Sequence, residues 1–198
     1  MNIKHALTEA LGDEGHLRLN DVDINAESIF AIMINEVVPE DEDQDFYGKS
    51  GNPYLSSALA LFQRAGLPVN SIQDVLNMGV YLTNAVKTPK SAYQVEKSSM
   101  EESLVWLEKE IDLFPNIKVI MLMGDVAKKM VNQIAKKRTK KNVIPSGATY
   151  KIRKTSFFMD GVRVIPSYIM TGGNILIEKS KCAMIEEDIR TMIGIIEE

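Results

Sequence analysis

Cysteine and histidine are scarce in this chain. Among its 198 residues, Cys182 is the only cysteine, and the two histidines are His5 and His16. One cysteine cannot form an intrachain disulfide, a cysteine-rich zinc site or a four-cysteine iron–sulfur cluster. We therefore expect no cofactor and no metal, and we expect Cys182 to pack as a small hydrophobic residue.

Long hydrophobic segments are also absent, since no apolar run approaches the roughly 20 residues that span a bilayer. The N-terminus lacks the basic, apolar and small-residue order of a secretory signal. The composition, 45% hydrophobic and 25% charged, is that of an ordinary globular protein with a substantial core. We expect a soluble, cytoplasmic protein without a membrane partner. We also expect a single domain over residues 1–198, with residues 1–27 as a peripheral helix and connector.

Charge is distributed unevenly, although the net charge is only −4. Residues 118–163 contain 12 lysines and arginines but only two acidic residues. The densest run consists of Lys136, Lys137, Arg138, Lys140 and Lys141. Such a cluster is typical of surfaces that bind phosphate backbones. It is equally typical of a solvated helix end, because cations there complement the helix dipole.

Hydrophobic periodicity predicts alternating strands and helices. Buried strands are predicted at residues 28–34, 79–84 and 118–123, and helices at residues 54–65, 98–114, 126–137 and 179–196. Ser98 and Ser99, each followed three residues later by a glutamate, predict a capping box, and Asp160-Gly161 predicts a hairpin turn. This alternation predicts a three-layer α/β/α sandwich with a mostly parallel central sheet.

Asn84 ends one of these strands, in the stretch Tyr81-Leu82-Thr83-Asn84. A carboxamide on a rigid strand end offers an acceptor and two donor hydrogens, which suits it to bind the edge of a pyrimidine-like ring. The simpler interpretation is that Asn84 caps a turn. Ligands of open α/β sheets bind at the carboxyl ends of strands. The loops at that edge also supply a carboxylate, two aromatics and three hydroxyls: Glu36, Phe46, Tyr47, Ser167, Tyr168 and Thr171.

Four segments carry a family resemblance. They are Asn35-Glu36-Val37-Val38-Pro39, Phe46-Tyr47-Gly48-Lys49-Ser50-Gly51, Ala65-Gly66-Leu67 and Tyr81-Leu82-Thr83-Asn84-Ala85-Val86-Lys87. In order, spacing and residue type they resemble the uracil-DNA glycosylase superfamily, particularly the branch that normally carries an iron–sulfur cluster. That branch has the motifs Gly-Glu-Ala-Pro-Gly, Pro-Phe-Val-Gly-x-Ala-Gly, Gly-Leu and Tyr-Ile-Thr-Asn-x-Val-Lys. The resemblance covers residues 28–195.

The resemblance implies a DNA N-glycosylase that hydrolyses the bond to a deaminated or damaged base during base-excision repair. Its partner would be single- or double-stranded DNA. Phe46, with Tyr47 beside it, would stack on a flipped base whose pyrimidine edge binds Asn84. Glu36 would orient or activate the hydrolytic water. The simpler interpretations are that Phe46 packs in the core and that Glu36 is an exposed loop carboxylate.

The last loop departs from the family pattern. The family has a His-Pro-Ser motif there, and Ile169 stands where its histidine is expected. Ser167, Tyr168 and Thr171 are the polar residues left to face the departing base or the DNA. Asn35 and Val38 replace glycines beside Glu36. Three hypotheses follow: a glycosylase, a catalytically impaired nucleic-acid or nucleobase-binding protein, and an enzyme that acts on free nucleobases or nucleosides.

Overall fold

A computed structural model describes residues 1–198. Five strands form one sheet: β1 (Ala31–Val37), β2 (Val80–Val86), β3 (Val119–Met123), β4 (Phe157–Met159) and β5 (Val162–Ser167). Seven α-helices surround it: α1 (Ile3–Leu11), α2 (Pro53–Arg64), α3 (Ile72–Asn77), α4 (Lys97–Asp112), α5 (Asp125–Thr139), α6 (Thr149–Ile152) and α7 (Lys179–Glu197). Short 3-10 turns lie at Ala26–Ser28, Glu42–Gln44 and Gly173–Ile177.

The strand order in the sheet is β2-β1-β3-β5-β4. All neighbouring strands are parallel except the β4–β5 hairpin. The turn of this hairpin places Asp160 at φ 51° and Gly161 at φ 80°, the left-handed conformations that a two-residue turn needs. The predicted α/β fold with a mostly parallel sheet is confirmed.

Two hydrophobic cores cover the two faces of the sheet, because neighbouring residues of a strand point to opposite sides. Ile32 and Ile34 of β1 lie in the core formed with α1, α4 and α5. Ala31 and Met33 lie in the core formed with α2, α3 and α7. The result is a helix–sheet–helix sandwich, with the carboxyl ends of the parallel strands at one common edge.

Two local predictions were wrong. β1 begins at Ala31 instead of residue 28 and continues past the apolar run, because its pairing with β2 extends through Asn35–Asn84 to Val37–Val86. The capping box does not form, since α4 begins at Lys97 and its N-cap residue makes no side-chain hydrogen bond.

Two helices complete the outer layers. Helix α3 was not predicted from the sequence, and its N-cap Ser71 accepts a hydrogen bond from the Asp74 amide. The N-terminal helix α1 lies outside the sheet, yet its Ile3 and Leu7 are fully buried. No helix combines the length and the hydrophobicity needed to cross a bilayer.

Candidate functional site

A cleft of about 270 Å³ opens at the carboxyl edge of the sheet. The end of β1, the loop after β2 and the loop after β5 form its walls. Its polar residues are Asn35, Glu36, Glu40, Lys90 and Thr171, and Ile169 is one of its apolar residues. We call it the Glu36 cleft.

Glu36 is held by the N-terminus of α5. Its Oε2 accepts a hydrogen bond of 2.6 Å from the backbone amide of Val126. Gly124, at φ +105°, makes this approach possible, because a Cβ at that position would lie 2.8 Å from both Cδ and Oε2 of Glu36. The positive end of the helix dipole favours a negative charge at this point. Glu36 is thus a positioned carboxylate at the wall of the cleft.

Asn84 and Asn35 occupy paired positions on the neighbouring strands β2 and β1. Both are buried, each with 1% of its surface exposed. Asn35 Nδ2 donates a hydrogen bond of 2.7 Å to Asn84 Oδ1. Asn84 Nδ2 in turn lies 2.9 and 3.0 Å from the two carboxylate oxygens of Asp45. Thr171 Oγ1 donates to Asn35 Oδ1 at 3.2 Å, so one network, the asparagine network, runs from Thr171 through Asn35 and Asn84 to Asp45.

Asp45 closes this network from the loop after β1. It also accepts a hydrogen bond from the Phe46 amide, at 2.8 Å. Burial raises the pKa of Asp45, while its hydrogen bonds to Asn84 and Phe46 act in the opposite direction. Asn35 offers Asn84 a donor and Asp45 offers it an acceptor, which is the same pair of groups that the edge of a uracil ring presents. Protein groups therefore occupy the amide edge of Asn84 that the family resemblance assigns to a base.

Phe46 and Tyr47 do not line the Glu36 cleft. Phe46 is 1% exposed, and its ring packs against Tyr54 with centroids 5.6 Å apart. The Tyr47 hydroxyl donates to the Leu82 carbonyl at 2.9 Å. Both aromatic residues instead border a separate cavity of about 560 Å³ beside α2.

In the last loop, only Ile169 and Thr171 reach the cleft. Ser167 is fully buried and donates a hydrogen bond of 2.7 Å to Asp188 Oδ2. The Tyr168 ring lies 5.5 Å from Lys181 Nζ. Ile169, 39% exposed, presents an apolar side chain where the family histidine is expected.

The five basic residues of the dense run lie at the far end of α5. Arg138 donates hydrogen bonds to Glu108, Asp112 and Asp160, and Lys137 donates to Glu108. At 1.5 Å per residue, Arg138 lies about 18 Å along the helix from Val126. The structure therefore does not bring this run together with Glu36.

The roles of Asn35 and Asp45 were not predicted from the sequence. A signal for Asn35 was present, because it ends its strand as Asn84 ends the neighbouring one. No signal separated Asp45 from the other acidic residues of its loop. No group of three or more His, Cys, Asp and Glu side chains is arranged to hold a metal ion.

Fold and site together define an α/β/α protein with a cleft at the carboxyl edge of its sheet and a buried asparagine pair beside it. The sequence model of the uracil DNA glycosylase superfamily matches residues 37–182. The chain belongs to that superfamily and is DNA glycosylase-like. No curated protein matches it.

Proposed function

We propose that this protein binds a nucleobase or nucleoside in the Glu36 cleft and is impaired in the base excision that its superfamily performs. The hydrogen bonding of Asn84, next to the cleft residue Asn35, carries the claim that excision is impaired. Both the oxygen and the nitrogen of its amide are bonded to protein groups, Asn35 and Asp45. A flipped base forms hydrogen bonds with the Asn84 amide only after Asp45 has moved away.

The residue at position 169 also supports impaired catalysis. Cleavage of an N-glycosidic bond leaves negative charge on the departing base, and a hydrogen-bond donor near the base oxygen stabilises that charge. Ile169 has no donor to offer. Loss of one such donor typically slows a reaction by about 10²- to 10³-fold.

The size and charge of the cleft favour a small ligand. Its volume, about 270 Å³, lies just under the range of about 300–1,000 Å³ usual for small-molecule pockets. Glu36 and Glu40 face it, and Lys90 is its only cation. The carboxylates disfavour a phosphate backbone, whereas the Thr171 hydroxyl supplies a neutral acceptor for a base.

Thermal unfolding in the presence of free bases and deoxynucleosides tests this proposal, because a ligand that binds only the folded state raises the Tm. We expect at least one of uracil, hypoxanthine, xanthine or their deoxynucleosides to raise the Tm of the native protein. Glu36→Gln should lose this shift, and the control Glu101→Gln on the exposed face of α4 should keep it. Absence of a shift with every ligand, or an equal shift in Glu36→Gln, would overturn the proposal.

A second candidate function is slow N-glycosidic hydrolysis, favoured by the position of Glu36 at the N-terminus of α5. The bond between C1′ and the base nitrogen would break with its electron pair leaving on the base. A water molecule would then attack C1′ and transfer its proton to Glu36. In this case Asp45→Ala should speed base release from a uracil-containing oligonucleotide, because it uncovers the amide of Asn84. An unchanged rate would count against the candidate.

A further inference from the structure

Arg163 carries a buried donor without a partner. It lies near the start of β5, and the Nε atom of its guanidinium is inaccessible to solvent and has no hydrogen-bond partner. A buried donor left unpaired is costly, so such a group is normally satisfied by an acceptor. Arg163 borders a cavity of about 380 Å³ between β5 and α7, and an acceptor in this cavity reaches Nε once the Arg163 side chain turns toward it, because Nε itself is closed to solvent.

The cavity carries more positive than negative charge. Arg153, Lys154, Arg163 and Arg190 line it, against Glu187 and Asp188. Arg153 is already paired with both carboxylates, at 2.7 Å from Glu187 and 3.0 Å from Asp188. Arg163, Arg190 and Lys154 therefore remain to bind an anion, with Lys154 only loosely paired to Glu187 at 3.8 Å.

An exposed aromatic ring lies beside Arg163. Phe158 is the residue directly opposite Arg163 in the antiparallel β4–β5 ladder, and such pairs project to the same face of a sheet. Phe158 is 59% exposed, on the edge strand of the sheet. An aromatic ring next to unpaired cations is the arrangement by which proteins bind single-stranded nucleic acid, with the base on the ring and the phosphate on the cations.

This surface is separate from the Glu36 cleft. Arg163 lies at the amino end of β5, and Ile169 and Thr171 follow its carboxyl end. With a rise of about 3.3 Å per residue, the length of β5 separates the two sites by roughly 15–20 Å. A change at one site therefore need not disturb the other.

We propose that Lys154, Phe158, Arg163 and Arg190 form a binding surface for single-stranded nucleic acid. Arg163 and Arg190 bind the phosphodiester group, Lys154 adds a further positive charge, and Phe158 stacks on an adjacent base. We call these four residues the Arg163 surface. The proposal is independent of the function proposed for the Glu36 cleft.

Fluorescence anisotropy with a labelled 12-nucleotide oligothymidylate tests the proposal over a series of salt concentrations. Phe158→Ala should weaken binding about tenfold, as expected for the loss of one stacked base. Arg163→Gln and Arg190→Gln should each weaken binding and reduce the slope of log affinity against log salt by about 0.7, the value for one phosphate contact with a single strand. Lys97→Gln, on the exposed side of α4, serves as the charge-matched control and should leave binding unchanged.

The Phe158→Ala variant also distinguishes a nucleic-acid surface from a site that binds phosphate alone, with inorganic pyrophosphate as the competitor. A phosphate site alone would make Phe158→Ala bind the oligonucleotide as the native protein does, and that result would overturn the proposal. Loss of binding on Lys136→Gln or Lys140→Gln, with Arg163→Gln unaffected, would assign binding to the end of α5 and would also overturn it. Glu36→Gln should have no effect on oligonucleotide binding. Failure of the proposal for the Arg163 surface is therefore distinguishable from failure of the function proposed for the Glu36 cleft.

Discussion

The carboxylate of Asp45 faces the amide nitrogen of Asn84 at 2.9 and 3.0 Å, across 39 residues of sequence. This contact ties the acidic loop after β1 to the end of β2. Under the base-binding role proposed for Asn84, this acceptor stands in the place of a pyrimidine carbonyl. The loop thus occupies the donor of the asparagine at the strand end.

Replacing Asp45 by Ala should expose the donor of Asn84 and destabilise the protein. The amide loses its partner, and an unsatisfied buried donor costs about 1–3 kcal/mol. Urea denaturation measures the change in the free energy of unfolding. Asp43→Ala in the same loop, which removes only an exposed ion pair with Lys49, should cost less than about 1 kcal/mol. Equal losses for the two variants would contradict the role given to Asp45.

Gly124 should be required for the position of Glu36. In Gly124→Ala the new methyl group would lie 2.8 Å from the Glu36 carboxyl group, in a backbone with φ +105°. Gly66→Ala is the matched control, because Gly66 has φ +94° and a Cβ added there would meet nothing within 4 Å. Both changes strain the backbone, at roughly 1–3 kcal/mol. Only Gly124→Ala should also remove the Glu36-dependent thermal shift by ligands, and retention of that shift would contradict the prediction.

Lys87 and Glu110 form a buried ion pair between β2 and α4, with 2% and 1% of their side chains exposed. Tyr81 and Thr83 also donate to Glu110, at 2.6 and 2.7 Å. Removing one charge leaves the other buried and unpaired, so Lys87→Met should cost about 3–5 kcal/mol in the free energy of unfolding.

Adding Glu110→Gln to Lys87→Met should recover part of this loss, because no charge then remains buried while Tyr81 and Thr83 keep an acceptor. Urea denaturation of both single variants and the double variant provides the measurement. If the loss of the double variant equals the sum of the two single losses, Lys87 and Glu110 are not coupled, contrary to what the structure indicates.

Asp188 should make stability depend on pH. Burial raises its pKa from 3.8 to about 6, against the hydrogen bonds and charge of Ser167 and Arg153. Because the folded state holds the proton more tightly, the stabilisation is fully present below pH 3.8 and is lost as the pH rises through about 6. The loss amounts to at most about 3 kcal/mol, at about 1.4 kcal/mol per pKa unit.

Asp188→Asn removes this titration and keeps an acceptor for Ser167. The free energy of unfolding is measured at several pH values from about 4 to about 7.5. As the pH rises over this range, the value for the native protein should therefore fall relative to that of the variant. Parallel pH profiles for the two proteins would contradict the raised pKa.

Much of the fold was predictable from local patterns. The apolar run before Gly124 and the Asp160-Gly161 turn predicted β3 and the hairpin, because both signals depend on short stretches of sequence. The start of α4 was not predictable in this way. The capping box is a local preference, and the observed helix begins at Lys97 without a side-chain cap.

The candidate site was predictable only in part. Motif order identified the positions of Glu36 and Asn84, and the strand ends placed both at the carboxyl edge of the sheet. The partners of these residues depend on tertiary contacts, such as Asp45 with Asn84 and Val126 with Glu36, which no local pattern encodes. Phe46 was expected to stack on a base, whereas its packing against Tyr54 depends on how α2 meets the loop.

Single-turnover base release from a uracil-containing oligonucleotide, with protein in large excess, tests the central claim most directly. The native protein is compared with Glu36→Ala and with Asp45→Ala. If Asp45 occupies the amide of Asn84 and catalysis is impaired, the native protein should release no more uracil than Glu36→Ala. Release by the native protein that Glu36→Ala abolishes would contradict this claim and would establish an active glycosylase with Ile169 in its last loop.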